Sequence, residues 1–443
     1  MRLFQTLKNI FKIEDLRARL IYTFGIILLY RLGKYVTLPG IDPSQLANLK
    51  SQTNSGIMGL LDMFSGGAFS QASIFALGIM PYISASIVVQ LLGIVFPYFQ
   101  KLQKEGESGR RKMNQYTRYL TVAILVLQAP TYLVNLHAQL PGTAFILTGP
   151  FFTVSSVIIL TAGTMFVMWL GEKITDKGIG NGISLIIMIG IVARLPTSFI
   201  FESGTRMNGA GGAIALIVEI LFLFVVVLGT ILLVQGTRRV PVQYARRIVG
   251  NKQYGGVRQY IPLKVNAAGV MPIIFAQAIM MLPIIIAGYA ANSGSGFVVA
   301  FSNMYGFWYN LVTAILIIVF TYFYTAITIN PVQMAEDMKK NGGFIPGIKP
   351  GRKTVEFLDT IMSRITFPGS VFLALVAILP SVAVKAGVTP QFAQFYGGTS
   401  LLILVGVVLD TLQQIESHLL MRHYDGLMKS GRIKGRSGSV TSV

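Results

Sequence analysis

The feature of this sequence that most limits its fold is a series of ten long apolar stretches. They lie near residues 20–38, 72–96, 116–137, 152–171, 183–201, 213–235, 269–290, 308–329, 368–386 and 398–417. As a helix, each is long enough to cross a hydrocarbon layer about 30 Å thick. Their residues do not alternate with polar ones, so they indicate helices rather than barrel strands. We therefore predict an all-α, polytopic membrane protein.

The composition supports this fold class. Of the 443 residues, 53% are hydrophobic and 12% are charged, which is too apolar for a soluble protein of this size. Arg31 and Lys34 interrupt the first stretch, and we expect their side chains to snorkel to a membrane interface. No cleavage pattern follows this stretch, so we interpret it as a retained span and not as a signal peptide.

The distribution of basic residues predicts the orientation of the spans. If both termini and the alternate loops lie on one side, that side carries all but six of the 37 Lys and Arg residues. The positive-inside rule makes that side cytoplasmic, and an even number of spans places both termini there. The six exceptions, predicted on the outer side, are Arg31, Lys34, Lys50, Arg194, Arg206 and Lys385.

The outer connection between Pro39 and Gln71 is long, rich in Gly and Ser, and partly apolar. Within it, at about 57–70, apolar side chains at helical spacing precede two glycines, which predicts a short helix and its stop. Such a helix either re-enters the bundle, which implies a surrounding cavity, or lies in the membrane interface. The apolar residues are Ile57, Leu60, Leu61 and Phe64, and the glycines are Gly66 and Gly67.

Two long loops on the predicted cytoplasmic side, at about 236–268 and 330–367, carry many basic residues. Such loops either bind RNA phosphates or an acidic protein surface, or are solvated loops that only set topology. In the second loop, the turn residues of NGGFIPGIKPG predict a shaped protrusion. The first loop contains no acid, and its bases are Arg238, Arg239, Arg246, Arg247, Lys252, Arg258 and Lys264.

The sequence offers no site for catalysis. It has no GxxxxGK[ST] phosphate loop and no HExxH motif, and the three His residues, His137, His418 and His423, do not cluster as metal ligands. We therefore predict no enzyme, cofactor or metal. Glu219 and Asp410 are the only acids within predicted spans, and neither lies at the midplane, which weakens a secondary solute or ion transporter as the alternative function.

Several long motifs resemble the SecY family, and together they cover about residues 10–430. They are MFSGGAFSQASIFALGIMPYISASIVVQLL (63–92), EGESGRRKMNQYTRYLT (105–121), WLGEKITDKGIGNGISLIIMIGIVA (169–193), RRVPVQYARR (238–247), IPLKVNAAGVMPIIFAQ (261–277) and GGTSLLILVGVVLD (397–410). The resemblance implies two inverted halves, 1–207 and 208–443, with five spans each around an hourglass pore. It also implies a protein-conducting channel in the bacterial plasma (inner) membrane.

The resemblance assigns the pore constriction to six positions, called the ring isoleucines below. Residues four apart share a helical face, and branched side chains form a compact collar that excludes water and ions. Without the resemblance, any one of them would be an ordinary lipid-facing or packing residue. The six are Ile79, Ile83, Ile183, Ile187, Ile274 and Ile403.

The resemblance also implies a plug and a lateral gate. The re-entrant segment at 57–70, including Ser65, Gly66 and Gly67, resembles the plug that closes the outer funnel. Gln90, Gln128 and Asn266 match polar positions at the seam where the second and third spans face the seventh. Ordinary interhelical hydrogen bonding accounts for these residues equally well.

The implied partners are SecE, SecG, the ATPase SecA, the ribosome, and the secretory and membrane proteins that the channel conducts, together with membrane lipids including anionic ones. The basic loops would bind SecA or ribosomal RNA, through Arg238, Arg239, Arg246, Arg247, Lys349 and Arg352. Lys349 stands where the family usually has arginine, which keeps the charge but removes a bidentate hydrogen-bonding group. A purely structural membrane scaffold is a third hypothesis, and it predicts no conductance.

Overall fold

A computed structural model of the chain describes residues 13–46, 62, 64–147, 149–208, 212–244, 247–249, 252–254, 258–277, 279–280 and 305–429. The helices are α1 (Glu14–Gly33), α2 (Met80–Val95), α3 (Pro97–Lys104), α4 (Glu107–Gln139), α5 (Pro150–Lys177), α6 (Gly182–Val192), α7 (Leu195–Asn208), α8 (Gly212–Gln235), α9 (Phe307–Thr328), α10 (Pro331–Lys340), α11 (Arg352–Lys385), α12 (Pro390–Ala393) and α13 (Gly398–Lys429). Residues 271–277 are also helical. The strands are β1 (Thr237–Tyr244), β2 (Arg247–Val249), β3 (Lys252–Tyr254), β4 (Arg258–Lys264) and β5 (Gly343–Phe344).

Within the described residues, seven helical segments are long and apolar enough to cross a membrane, and α2 with α3 makes an eighth if the bent pair is one span. The first predicted stretch corresponds to α1, whose charged residues exclude it from these seven segments. The seventh continues from the 271–277 helix into residues that the structure does not describe. The fold class is confirmed, and ten spans are consistent with it. The seven segments are α4, α5, α6 with α7, α8, α9 with α10, α11 and α13.

The exposed surface of α8 has the character of a lipid-facing helix. Its apolar side chains Ile214, Leu221 and Leu232 are 77%, 65% and 72% exposed. A helix that is apolar around its whole circumference and still exposed requires an apolar solvent. This helix therefore has a side that is available to lipid.

Prolines account for two differences between predicted and observed spans. The second predicted stretch begins at residue 72, but α2 begins at Met80, and Ala72–Ile79 form turns. A helix that continued backward through Pro81 would lose one backbone hydrogen bond and place the proline ring against a carbonyl, so the helix starts just before it. The fifth predicted stretch is broken at Ala193 and Arg194, just before Pro196.

The two predicted cytoplasmic loops form one small sheet, although their sequences predict only loops. β1 pairs with β4 from Thr237 to Gln243, and Gln243 and Tyr244 of β1 pair with β5, which belongs to the second loop. β2 and β3 form a separate two-stranded sheet. Beneath the larger sheet, Val240, Leu263, Met338 and Leu358 belong to one hydrophobic cluster. The two loops therefore share a core and constitute one structural unit.

The second loop is also more helical than its turn-rich sequence suggests. Asn330 begins α10, and its side chain accepts hydrogen bonds from the amides of Val332 and Gln333 at 3.1 and 3.3 Å. Gly342 and Gly347 turn the chain with positive φ, as the glycines of the motif predict. α11 then begins at Arg352, sixteen residues before the ninth predicted stretch.

Candidate pore

The ring isoleucines come from four parts of the chain. Ile183 and Ile187 lie one turn apart on α6, and Ile403 lies on α13, which packs against α6. Three of the six are buried in one hydrophobic cluster, with exposures of 3% for Ile79, 5% for Ile187 and 7% for Ile403. Ile83 and Ile183 are partly buried and pack against the same cluster. The helices of both predicted halves therefore bring these side chains together.

A cavity of about 1030 Å³ adjoins this cluster. Five of the ring isoleucines line it: Ile83, Ile183, Ile187, Ile274 and Ile403. Ile79 does not line the cavity. It precedes α2, and its carbonyl accepts a hydrogen bond from the amide of Ile83 at 3.1 Å.

The three predicted seam residues line the same cavity. Gln90 on α2 is hydrogen-bonded to Ser86 at 3.4 Å and to the hydroxyl of Tyr324 on α9 at 3.0 Å. Gln128 on α4 is exposed, and Oδ1 of Asn266 is buried without a hydrogen-bond partner among the described residues. In the described part of the chain, the three side chains share a wall of the cavity but are not hydrogen-bonded to one another. Tyr324, the partner of Gln90, is not indicated by the sequence pattern.

The predicted re-entrant segment is described at residue 62 and at 64–70, whereas Ile57, Leu60 and Leu61 lie outside the described residues. Phe64 is 6% exposed, belongs to the cluster of the ring isoleucines and lines the cavity. The amide of Gly67 donates to the carbonyl of Asp62 at 2.7 Å, and Gly66 has a φ of +66°. This is a Schellman-type helix end, so the predicted glycine stop is confirmed. The described part of the segment lies inside the bundle and not at its surface.

The end of this segment fits closely against α6. A Cβ atom on Gly66 would lie 3.0 Å from Cα of Gly190 and 3.0 Å from Nη1 of Arg31. Ser65 is 2% exposed and its side chain accepts a hydrogen bond from the amide of Phe69 at 3.0 Å. Glycine is therefore required at position 66 both for its backbone angle and for space.

Arg31 and Lys34 both lie beside the described end of the re-entrant segment, and their snorkelling to a membrane interface stays a prediction. Nη1 of Arg31 donates to the carbonyl of Gly66 at 3.2 Å. The Nζ atom of Lys34 lies against Gly67, 2.7 Å from the position that a Cβ atom would occupy there. The carbonyls at the end of a short helix attract positive charge, which accounts for the hydrogen bond from Arg31 to Gly66.

A second buried group of charges connects the two predicted halves. Arg206 on α7 lies 3.1 Å from Oε1 of Glu202 and 2.5 Å from Oε1 of Glu219 on α8. Oε2 of Glu202 accepts hydrogen bonds from both the amide and the hydroxyl of Thr389. The carbonyl of Glu219 accepts a hydrogen bond from Tyr396 at 3.0 Å. Oε1 and the carbonyl of Glu219 thus have structural partners, and Oε2 has no hydrogen-bond partner among the described residues.

The predicted loop residues lie on or beside the sheet. Arg238 and Arg239 are exposed on β1, and Lys349 and Arg352 are exposed near the start of α11. Arg352 pairs with Glu356 at 3.4 Å, and the carbonyl of Lys349 accepts a hydrogen bond from Thr354. Arg247 lies in β2, where only the backbone is described, and Arg246 lies outside the described residues.

The remaining polar residues do not form a chemical site in the described part of the chain. No group of three or more His, Asp or Glu side chains there could hold a metal ion. The ring of His137 packs against Phe145, with centroids 4.0 Å apart. Asp410 lines the cavity and is exposed. It lies far along the sequence from Glu219 and does not share the partners of Glu219.

The chain is similar to known proteins along almost its whole length. The SecY family model matches residues 73–412. The protein translocase subunit SecY of Streptomyces scabiei is 46% identical over 442 residues, covering 95% of this chain and 98% of that protein. The subunit of Corynebacterium glutamicum is 44% identical over 439 residues, with the same coverage. The subunit of Mycobacterium tuberculosis is 44% identical over 437 residues, covering 94% of this chain and 97% of that protein.

Solved structures show a similar fold at lower sequence identity. A protein-conducting channel superposes with a TM-score of 0.61 at 19% identity, over 90% of this chain and 92% of that chain. Sec61 from the canine ribosome–channel complex of the endoplasmic reticulum gives a TM-score of 0.53 at 18% identity, with the same coverage. The solute-transporter alternative gains no support from these matches.

Proposed function

The chain belongs to the SecY family, and from this premise we propose that it forms the protein-conducting channel of a Sec translocon. The channel passes unfolded secretory polypeptides across the membrane and releases apolar segments sideways into lipid. The observation that carries this proposal is the convergence of five ring isoleucines, Phe64 and the three seam residues on one cavity. These positions come from segments as far apart in sequence as residues 64 and 403.

The ring isoleucines act as a gate because an apolar constriction is unfavourable for hydrated ions. Water and ions lose hydration there, whereas an extended polypeptide displaces the side chains as it enters. Ile187 and Ile403 pack in the same buried cluster as Phe64, so the constriction and the plug close one another in the resting state.

Lateral release follows from the free energy of transfer into lipid. An apolar core of about ten residues gains about 3–6 kcal/mol on entering the membrane, whereas a single Arg costs about 2.5–3.5 kcal/mol. Segments of these two kinds are therefore sorted by partitioning alone once the seam at Gln90, Gln128 and Asn266 opens. The channel needs no catalytic step for this decision and is not an enzyme.

The driving force comes from partners that bind the basic sheet. Arg238 and Arg239 are both exposed on β1, and Lys349 and Arg352 lie in the loop joined to β1 through β5. Such a surface attracts RNA phosphates or acidic protein surfaces. We assign it to SecA and to the ribosome, with SecE and SecG as further subunits, and the match to Sec61 of a ribosome–channel complex supports this assignment.

The protein is a multi-pass membrane protein, and we place it in the bacterial plasma membrane with both termini in the cytoplasm. The distribution of basic residues supports this orientation. Residues 1–207 and 208–443 constitute the two halves, and Arg206 and Glu219 bridge them close to their covalent junction.

The proposal is tested with the full chain and its copurifying subunits in lipid vesicles. The variant Ile403→Asn places a polar amide in the constriction, so we expect ion leak and the passage of proteins with weakly apolar signal sequences. Val408→Asn, at an exposed position on the same helix, is the matched control and should not leak. If Ile403→Asn leaks no more than Val408→Asn, and signal stringency is unchanged, the channel assignment is wrong.

A further inference from the structure

Asp62, in the predicted re-entrant segment, is an acid that is 0% exposed. Its Oδ2 lies 2.9 Å from Nη2 of Arg194, whose side chain is 22% exposed. Its Oδ1 accepts a hydrogen bond from the amide of Ser70 at 2.8 Å. A carboxylate buried to this extent is stable only when it is paired and hydrogen-bonded. Oδ1 of Asp62 is hydrogen-bonded, whereas Oδ2 has the ion pair with Arg194 and no hydrogen bond of good geometry among the described residues, so Arg194 is its essential partner.

Arg194 lies at the break between α6 and α7, a few residues along the chain from the ring residue Ile187. Its charge is therefore fixed to the helix that supplies part of the constriction. Asp62 belongs to the plug segment, and its carbonyl receives the Gly67 amide that ends the short helix. The ion pair thus joins the plug segment to the break that follows α6.

Other side chains bind the backbone of the same segment. The hydroxyl of Tyr30 and the guanidinium of Arg31, both on α1, donate to the carbonyls of Ser65 and Gly66 at 3.1 and 3.2 Å. The hydroxyl of Tyr132 on α4 donates to the carbonyl of Phe69 at 3.0 Å. Donors from two helices, α1 and α4, therefore fix the described end of the segment in one position.

These contacts account for basic residues that the positive-inside rule leaves unexplained. Arg31, Lys34 and Arg194 are three of the six cations predicted on the outer side. All three lie against the plug segment, at Gly66, Gly67 and Asp62 respectively. Their positive charge has a local structural use there, which outweighs the bias of topology.

We propose that the Asp62–Arg194 ion pair is a latch that holds the plug segment against α6 and sets how readily a signal sequence displaces it. This inference rests on the proposed channel function. It assigns to one residue pair the control of how strictly the channel selects signal sequences. Displacement separates the two charges, so the pair stabilises only the closed channel. Weakening it should open the channel without any change in the ring isoleucines.

The test uses the full chain with its copurifying subunits in vesicles, and the variants Asp62→Asn and Arg194→Gln. We expect each to raise ion leak, and the export of a reporter with a weakened signal sequence, by about tenfold, because one buried partner is left without its counter-charge. Arg194→Lys keeps the charge and should restore most of the closure. Lys385→Ala removes another predicted outer-side cation at an exposed position and should leave both readouts unchanged.

The double variant Asp62→Asn/Arg194→Gln separates a latch from general destabilisation. If the residues act as a pair, the double variant leaks no more than the worse single variant. The latch would be overturned if the increase in leak of the double variant equalled the product of the two single increases. It would also be overturned if Arg194→Lys and Arg194→Gln leaked equally.

The Ile403→Asn variant in the same assay distinguishes the two levels of the proposal. If vesicles with the Asp62→Asn variant do not leak ions while vesicles with the Ile403→Asn variant do, the latch is refuted and the channel assignment stands. If vesicles with the Ile403→Asn variant do not leak ions, the channel assignment is refuted, and so is the latch that depends on it.

Discussion

The hydroxyl of Tyr324 donates a hydrogen bond to Oε1 of Gln90 over a distance of 3.0 Å. Tyr324 lies on α9 and Gln90 on α2, so the bond crosses between the two proposed halves at a wall of the cavity. If the seam opens sideways, this bond must break. It is therefore a specific interaction of the closed seam.

Replacing Tyr324 by Phe removes this bond and keeps the ring. Interhelical hydrogen bonds in membranes contribute about 0.6 kcal/mol on average, so we expect the equilibrium to shift about threefold toward the open seam. Export of a reporter with a shortened apolar signal core should rise by the same factor. The control is Tyr322→Phe, two residues away and 37% exposed. Equal export by the two variants would show that the bond has no part in the gate.

Replacing Gly66 by Ala should displace the plug segment. The substitution forces a side chain into a positive φ, which costs about 1–2 kcal/mol, and into contact with Gly190. We expect increased ion leak from reconstituted vesicles. Gly212→Ala has a similar φ of +57° with open space around it, and it should not leak. The prediction is wrong if the two alanine variants behave alike.

Replacing Arg206 by Ala should destabilise the folded protein. It leaves the carboxylates of Glu202 and Glu219 buried without a counter-charge, and loss of one partner in such a site costs about 3–5 kcal/mol. We expect a lower free energy of unfolding in a detergent titration. Arg118→Ala breaks an exposed pair with Glu172 and should cost about 0–1 kcal/mol. Similar losses for both variants would contradict a special role for the buried group.

Reversing the charge of Arg239 and Arg246 to Glu should weaken the binding of SecA or ribosomes. Because the attraction is electrostatic, the difference from the unmodified chain should shrink as salt is raised. Binding is measured by cosedimentation over a series of salt concentrations. Arg111→Glu changes the charge at another exposed position, next to Glu107, and serves as the control. If both charge reversals leave the affinity unchanged at every salt concentration, the assignment of the basic sheet as the binding surface for SecA and ribosomes is refuted.

The spans could be predicted from the sequence because lipid imposes a simple requirement on length and polarity. The ends of α8 and α9 lie within one or two residues of the predicted stretches. Errors arose where the chain inside the bundle is not helical, as in Ala72–Ile79. There the apolar character continues while the backbone turns, and hydropathy does not distinguish an apolar helix from an apolar turn.

The partners of individual side chains were harder to predict. Five ring isoleucines converge on one cavity, but only the family resemblance selected them from many other isoleucines. The partners of Gln90, Asp62 and Arg206 come from distant segments, so spacing along the chain carries no information about them. One signal was present, because the basic residues on the predicted outer side were exceptions to a general rule and three of them proved to contact the plug segment.

The pairing of Gln243 and Tyr244 with Phe344 and Gly343 has a practical consequence for protein engineering. Each loop supplies strands and apolar residues that the other needs, about a hundred residues away in sequence. A chimera that exchanges only one of them with a relative would combine mismatched edges and an ill-fitting interior. Grafts between translocases should therefore transplant 236–268 and 330–367 together, and a tag inserted into either one is to be judged by its effect on both.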